Sequence, residues 1–337
     1  MRPGRFLIAA PTFLDWDLGT YVRNLLSARG IDCATFAYWP FRSHREASRE
    51  LLKEVERFNP DVVFGLKLQK ILPETIGAIR QRGVFTLLWY VDCDAPRAPA
   101  WIRPLVKETD VLLTTAKGMV PHYQSLSANP VYWVYEGVYV PGFPLRRPGL
   151  GEVPEVYRSD VAFVGNIYYP SADRHLASDR HNLLKRIQQI CELKVWGPQG
   201  DRRASRKWGA NYPAIEWPAH HEELVNICHG AKIIVGTNRI NDIELYFSNR
   251  TFLTLAAGGF HLARYVPGLE TMFSNHKHLV WFHSHDECLD LIKYYLGRPS
   301  WRRRIAGEGQ RWARRHYSMA KQIGRILKII ERHYEER

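Results

Sequence analysis

The 337-residue chain predicts an α/β fold built from two Rossmann-like, doubly wound parallel-sheet domains. Three observations predict it. Apolar runs of strand length alternate with helix-length amphipathic segments over residues 1–140. A Pro- and Gly-rich stretch then interrupts the pattern, with Pro141, Gly142, Pro144, Pro148, Gly149, Gly151 and Pro154. The alternation restarts at Asp160-Val161-Ala162-Phe163-Val164-Gly165-Asn166. Strands buried on both faces read as unbroken apolar runs, and helices covering both faces of a parallel sheet give the alternation. The expected organisation is a first domain over 1–142, a linker over 143–158 and a second domain over 159–320. A final helix, 321–337, is expected to return toward the first domain.

The elements follow in order. Arg5-Phe6-Leu7-Ile8-Ala9-Ala10 is a buried strand that stops at Pro11, and a helix from near Leu18 to Ala28 is closed by Gly30. Ile31 to Tyr38 is a strand, Ser43 to Phe58 a polar helix, and Asp61 to Leu66 a strand. Pro73 opens a helix that ends at Gly83, with proline at the first helical position and glycine past the end. Phe85 to Val91 is a strand that breaks into Asp92-Cys93-Asp94-Ala95-Pro96, and a helix over Pro99 to Lys107 leads to the strand Val111 to Thr115. Val131 to Tyr135 ends the first series at Glu136-Gly137-Val138. In the second series a helix over Arg180 to Cys191 precedes the strand Leu193 to Gly197, and a helix over His221 to His229 precedes the strand Ala231 to Gly236. Phe260 to Ala263 and His278 to Phe282 are strands, Asp286 to Leu296 is a helix with apolar residues at helical spacing, and long helices complete the chain.

Composition narrows the class. Hydrophobic content of 45% and charged content of 24% are those of a globular protein, and no apolar run approaches the roughly 20 residues of a membrane helix. Met1-Arg2-Pro3-Gly4-Arg5 runs into a strand with no signal-peptide cleavage pattern. The five cysteines, Cys33, Cys93, Cys191, Cys228 and Cys288, show neither metal-ligand nor redox spacing. A cytoplasmic protein with reduced thiols is expected. The 14 histidines include His220-His221 and a cluster at His276, His278, His283 and His285, but none makes the helical zinc pair flanking a glutamate, so no metal site is expected. Walker loop, nucleophile elbow and Gly-x-Gly-x-x-Gly are absent, which argues against P-loop, hydrolase and dinucleotide chemistry. Net charge is +13, and residues 301–337 alone hold 11 Lys/Arg against 4 Asp/Glu. Arg302-Arg303-Arg304 and Arg314-Arg315 therefore suit either nucleic acid, an anionic membrane surface or a solvated helix face.

Tyr246 to Phe260 is the most informative stretch: a loop, a helix, the glycine turn Gly258-Gly259 and a strand. Arg250 at the helix start can hold phosphate oxygens in a planar fork, and the helix N-terminus favours the same anion. The Gly-Gly turn is expected to let backbone approach a bulky ligand. Ligands of doubly wound sheets bind outside the carboxyl ends of the strands. The loops at such ends are Pro11 to Gly19, Asp92 to Pro96, Glu136-Gly137, Gly165 to Pro170, Gly197, Gly236 to Asp242 and this segment. Their convergence predicts a cleft enzyme that binds a nucleoside diphosphate.

Ser248-Asn249-Arg250-Thr251-Phe252 followed by Ala257-Gly258-Gly259-Phe260 resembles the arginine-to-double-glycine block of CgeB-like (spore maturation protein-like) glycosyltransferases. The likeness runs on through Tyr265-Val266-Pro267-Gly268-Leu269-Glu270, Met272-Phe273, Tyr294-Tyr295-Leu296, Ile305-Ala306-Gly307-Glu308-Gly309 and His316-Tyr317. Phe163-Val164-Gly165-Asn166 and Tyr135-Glu136-Gly137-Val138 fit two earlier signposts. It is strong over the last hundred residues and diffuse over the first half. The resemblance implies the two-domain GT-B fold, a nucleotide-sugar donor held by the second domain, an acceptor held by the first, and possible retention of configuration. It implies no cofactor and no metal. One position departs from the pattern. Related retaining enzymes place a Glu that bonds the donor ribose where this chain has Leu253, so Glu244 or backbone must replace it, or donor binding is weak or lost. A binding protein without catalysis on the same scaffold, and a glycosyltransferase acting on nucleic acid, are the alternatives.

The donor-side candidates are Gly165, Asn166, Arg180, Asn238, Glu244, Asn249, Arg250, Gly258, Gly259 and Glu270, with Arg174 competing with Arg180 for a second phosphate contact. Each glycine serves a plain turn equally well, and Arg250 could instead pair with Asp242 or Glu244. Asp92 and Asp94 end a buried strand, where a carboxylate can orient an acceptor hydroxyl or take its proton, or simply cap the next turn. Asp15 and Asp17, before Gly19, are acceptor candidates, with Asp17 equally suited to capping a helix.

Overall fold

A computed structural model describes residues 3–93, 101–143, 152–165, 174–198, 214–215 and 221–336. The chain divides into two compact units, one of Met1–Glu136, Ile243–Tyr246 and Met319–Arg337, the other of Gly137–Asp242 and Phe247–Ser318. The second unit thus begins at Gly137, and the final helix joins the first unit from Met319.

In the first unit six strands, β1 (Arg5–Ala10), β2 (Asp32–Ala37), β3 (Val62–Leu66), β4 (Phe85–Tyr90), β5 (Val111–Thr114) and β6 (Val131–Trp133), form one parallel sheet ordered β2-β1-β3-β4-β5-β6. Ile8 pairs with Thr35 on one side and Phe64 on the other, so β1 is central. Its apolar run is buried from Phe6 to Ala10, as are all of β3 and β4. Helices α1 (Leu18–Ser27), α2 (His44–Phe58), α3 (Pro73–Gln81), α4 (Ile102–Glu108) and α5 (Val120–Gln124) cover it. The start of α2 is fixed by two bonds. Ser43 Oγ accepts from Glu46 N at 3.1 Å, and Glu46 Oε2 accepts from Arg42 N at 2.9 Å. The last helix, Met319–Glu335, belongs here by contact. Its His333 Nε2 lies 2.7 Å from Tyr132 Oη, and Tyr334 packs on Phe85.

The second unit repeats the design with β7 (Ser159–Val164), β8 (Leu193–Pro198), β9 (Ala214–Ile215), β10 (Ala231–Gly236), β11 (His261–Arg264) and β12 (Val280–Phe282), ordered β12-β11-β10-β7-β8-β9 and parallel. Its helices are α6 (Arg174–Gln188), α7 (His221–Gly230), α8 (Arg250–Ala257), α9 (His285–Leu296) and α10 (Pro299–His316). Helix α6 begins almost two turns before the sequence pattern becomes amphipathic, because its first residues are polar. The two-residue β9 has no apolar run to announce it. Close packing fixes α10 against α8: a Cβ on Gly309 would sit 2.0 Å from His278 O and 2.9 Å from Leu255 Cδ2. Gln310 Nε2 donates to Ala256 O at 3.0 Å from the same helix.

Both strand orders reverse direction once. The chain moves from β1 to β2 and returns to β3 on the other side of β1, and it moves from β7 through β8 to β9 and returns to β10 beside β7. These reversals open a crevice at the carboxyl edge of each sheet, between β1 and β3 and between β7 and β10, where doubly wound folds take ligands.

Candidate functional site

The crevice of the second unit brings Gly165 and Arg250 together. Gly165 follows β7, and Arg250 opens α8. A Cβ on Gly165 would lie 3.0 Å from Arg250 Cζ and 3.3 Å from its Nε. The guanidinium therefore lies flat over the bare backbone of Gly165. The same glycine has φ +146°, a conformation side chains avoid, and its N–H donates to Trp196 O at 2.7 Å.

The loop entering α8 is held from below. Asn238 Oδ1 accepts from Ser248 N at 2.8 Å, so Asn238 shapes the loop. Ser248 in turn takes up first-turn donors of the helix. Its carbonyl accepts from Thr251 N at 3.0 Å, and its hydroxyl accepts from Arg250 N at a long 3.4 Å. The first-turn amides are thus partly occupied. Asn249 is the residue before the helix, and its Oδ1 is buried without a hydrogen-bond partner among the described residues. Beneath the helix His261 is buried, with Nε2 3.2 Å from Thr251 Oγ1 and Nδ1 3.2 Å from Ile234 O. Burial first, opposed by the Ile234 contact and reinforced by Arg250, pushes its pKa down to about 4. His261 is a neutral prop under a cation. Gly236 makes room for it, since a Cβ there would meet the ring at 2.4 Å.

Other donor-side expectations need correction. Arg180 is 2% exposed, stacks 5.4 Å from the Phe163 ring and donates from Nη2 to Thr237 O at 3.1 Å, so it braces the β10 loop from inside. The Gly258-Gly259 turn lies at the opposite, amino-terminal edge of the sheet, just before β11 begins. Gly258 has φ +82° and closes α8, and Gly259 packs its backbone on Cys228 and Thr254. An eight-residue helix of about 12 Å separates this turn from Arg250. Glu244 belongs with the first unit, where its Oε1 pairs with Lys117 Nζ at 2.5 Å. Glu270 is exposed and accepts from Tyr265 Oη at 2.9 Å. Asn166 lies outside the described residues, as does the Arg174 side chain. Leu253 follows Arg250 by three residues on α8, half-buried, on the same face.

A cavity of about 490 Å³ opens at the carboxyl ends of β10, β11 and β12, lined by Asp179, Arg239, Asn241, Asp242, Arg264 and His283, among others. Asp179 pairs with His285 at 2.9 Å.

The first unit carries carboxylates at its carboxyl edge. Asp92 follows β4 and pairs with Lys67 Nζ at 2.7 Å. Asp94 lies outside the described residues. Asp17 precedes α1 but does not cap it by side chain. Its Oδ2 accepts from Leu14 N at 2.9 Å and from Thr12 Oγ1, closing the β1–α1 loop. Asp15 is exposed in that loop. Gly19 lets α1 approach β1, since its Cβ would be 2.9 Å from Ala10 Cβ. Glu136, which the sequence places in a strand-end loop and a signpost, also belongs to this edge. Burial pushes its carboxyl up to about 7, with Lys67 opposing and Asp92 adding to the rise.

The basic C-terminal helices are partly committed to structure. Arg302 Nη1 donates to Leu296 O at 2.8 Å and Arg314 Nη1 to Phe143 O at 2.9 Å, while Arg311 pairs with Glu308. Among the described residues no helix is long and apolar enough to cross a membrane, and no cluster of three His, Cys, Asp or Glu could hold a metal.

Residues 174–328 match the family described as Glycosyl transferase-like. Nearly all of the chain is similar in fold to solved GT-B glycosyltransferases. One is HepE of Anabaena in complex with UDP and glucose, at 9% identity and TM-score 0.67, with 97% of this chain and 99% of that one covered. A second is the sucrose-phosphate synthase of Thermosynechococcus elongatus, at 13% identity and TM-score 0.69 over the same shares. A third is an alpha-glucosyltransferase in complex with UDP and a DNA 13-mer containing an HMU base, at 10% identity and TM-score 0.68, also over 97% and 99%. No curated protein sequence matches the chain. The fold is GT-B.

Proposed function

We propose that the protein transfers a sugar from a nucleoside diphosphate sugar to an acceptor hydroxyl. One observation carries this reading: the Arg250 guanidinium laid over the bare backbone of Gly165 at the β7/β10 crevice. A planar fork beside a helix start suits a diphosphate, whose negative charge grows as the sugar departs. The cation already present supports catalysis without a metal. The adjoining cavity supplies Asp179 and Asp242 as acceptors for ribose or sugar hydroxyls, a role that Leu253 cannot fill. Neighbours solved with UDP favour a uridine donor. The resemblance to CgeB-like enzymes supports retention of configuration. Asp92 and the rest of the first unit's carboxyl edge serve the acceptor. Free thiols at all five cysteines favour a reducing, cytoplasmic setting.

A screen of nucleotide sugars for release of nucleoside diphosphate tests the reading. It predicts release from at least one donor, faster with acceptor than with water. A folded protein that consumes none of them contradicts it and favours the reading as a binding protein without catalysis.

The net charge of +13 and the neighbour bound to DNA favour a second reading, with nucleic acid as acceptor. It predicts duplex binding that weakens steeply with salt. Binding that is absent, or indifferent to salt, removes it.

A further inference from the structure

The second unit carries its exposed apolar side chains at one edge. Among its described residues the large hydrophobics left exposed are Val156, Ile190, Tyr294 and Trp301. Val156 precedes β7, and Ile190 lies between α6 and β8. Tyr294 is in the last turn of α9 and Trp301 in the first turn of α10. Helices that cover a parallel sheet run back to the amino ends of its strands. All four residues therefore sit at the amino edge, opposite the β7/β10 crevice. The turn joining α9 to α10 is exposed at every residue from Gly297 to Trp301.

The same turn is cationic. Between Asp290 and Glu308 the chain has five basic residues, Lys293, Arg298, Arg302, Arg303 and Arg304, and no acid. Arg302 is committed to the Leu296 carbonyl. The other four make no ion pair among the described residues. Arg298 Cζ lies 3.7 Å from the centre of the Tyr294 ring, and Arg304 Cζ 4.5 Å from that of Trp301. Each exposed ring thus carries a cation. Elsewhere on this edge charge is balanced: Arg158 pairs with Glu155 at 2.7 Å, Lys232 with Asp160 at 2.6 Å and Lys194 with Glu192 at 3.8 Å. A cavity of about 350 Å³ opens beside the turn, lined by Ala231, Phe260, Pro299, Arg302, Arg303 and Ala306, among others. Ala231 begins β10, which places the cavity at the same amino edge.

We propose that this edge binds the surface of an anionic phospholipid membrane. Tyr294 and Trp301 sit at headgroup depth, Lys293, Arg298, Arg303 and Arg304 meet lipid phosphates, and the cavity takes part of one lipid. Rings with an apolar body and a polar tip settle at that depth, and clustered Lys and Arg are drawn to the negative surface. Val156 and Ile190 favour a membrane over a nucleic acid. An aliphatic side chain gains nothing from a phosphate backbone but gains burial among acyl chains. No helix among the described residues is long and apolar enough to cross a membrane, so the attachment is to its surface. The proposal is independent of the transferase reading, and it leaves the carboxyl edge of this unit open.

Co-sedimentation of the full chain with vesicles of mixed phosphatidylglycerol and phosphatidylcholine tests it, against vesicles of phosphatidylcholine alone. Binding to the mixed vesicles is expected, and binding weaker by about tenfold or more to the neutral ones. Each charge lost at the surface should weaken binding about fivefold, so Arg298→Gln, Arg303→Gln and Arg304→Gln together should lose about a hundredfold. Tyr294→Ala with Trp301→Ala keeps every charge and should lose about tenfold. Arg325→Gln, Lys328→Gln and Arg332→Gln together remove the same charge from the last helix and should leave binding unchanged. All the substituted residues are exposed, and circular dichroism checks the fold of each variant. No binding at millimolar phosphatidylglycerol, or an equal loss in both triple variants, overturns the proposal. Wild-type binding by the variant lacking both rings overturns it as well. Duplex or single-stranded DNA bound through the same three arginines, with vesicles left unbound, overturns it in favour of a nucleic acid.

Discussion

The two sheets present opposite chemistry at equivalent edges. Each has a reversal crevice between two central strands. At β7/β10 the crevice offers a guanidinium over a bare backbone. At β1/β3 it leads to a lysine paired with a carboxylate, Lys67 with Asp92. The first arrangement is a cation suited to an anion, and the second is an ion pair whose charges offset. One topology therefore carries different charge at its two crevices, and the strand-end residues distinguish them.

The largest effect is expected at the anion edge. Arg250→Ala should lower kcat/KM for the donor by about a hundredfold, the loss of a charge-assisted contact of roughly 1.5–3 kcal/mol. Arg250→Lys should recover only part of it, since an ammonium is a point charge without a fork. Steady-state release of nucleoside diphosphate measures both.

Glycines give the next contrast. Gly165→Ala forces a Cβ to 3.0 Å from Arg250 Cζ at φ +146°. Donor affinity should fall about tenfold, with a loss of roughly 1–3 kcal/mol in stability. Gly258→Ala also strains a left-handed residue, at φ +82°, but at the amino edge. It should cost about 1 kcal/mol in denaturant unfolding and leave nucleotide affinity unchanged. Equal affinity losses in both would erase the distinction between the edges.

A smaller change tests Leu253. Leu253→Glu places an acceptor one turn beyond Arg250, and one added hydrogen bond of about 1 kcal/mol should tighten nucleoside diphosphate binding about fivefold. An unchanged Kd would leave ribose recognition to the cavity carboxylates.

The least visible effect is the pH dependence of stability, because two contributions oppose each other. Glu136 has a folded pKa near 7 against an ordinary 4.5, so its contribution is full below pH 4.5 and is lost as pH rises through 7. His261 has a folded pKa near 4 against 6.5, so its contribution is full above pH 6.5 and is lost as pH falls through 4. Between pH 4.5 and 6.5 the two slopes offset. Glu136→Gln should expose a stability that rises with pH, and His261→Gln one that falls, read from urea unfolding at fixed pH values.

The fold was legible because buried parallel strands write themselves as apolar runs. Phe6 to Ala10, Phe85 to Tyr90 and Ile233 to Val235 are buried as their sequences predict. The helix that starts at Arg250 was legible from the loop before it and the glycine turn after it. Gly258 and Gly259 misled because a helix-closing glycine and a ligand-approaching glycine look alike in sequence, and only chain direction separates the two edges. Arg180 misled because a buried arginine that bonds a carbonyl reads like one that reaches a phosphate. Glu244 was misplaced because Ile243–Tyr246 joins the first unit from within the second half of the chain. Glu136 was visible as a strand-end residue, but not as a titrating one. Its carboxyl is raised first by burial, which only the fold creates, and then adjusted by Lys67 and Asp92, 69 and 44 residues away in sequence.

The most direct measurement is calorimetric titration of the wild type and Arg250→Ala with a panel of nucleoside diphosphates. The account predicts one binding site for at least one nucleotide, with an affinity that drops about a hundredfold in the variant. No heat from any nucleotide at millimolar concentration, or an equal Kd for both proteins, would contradict it.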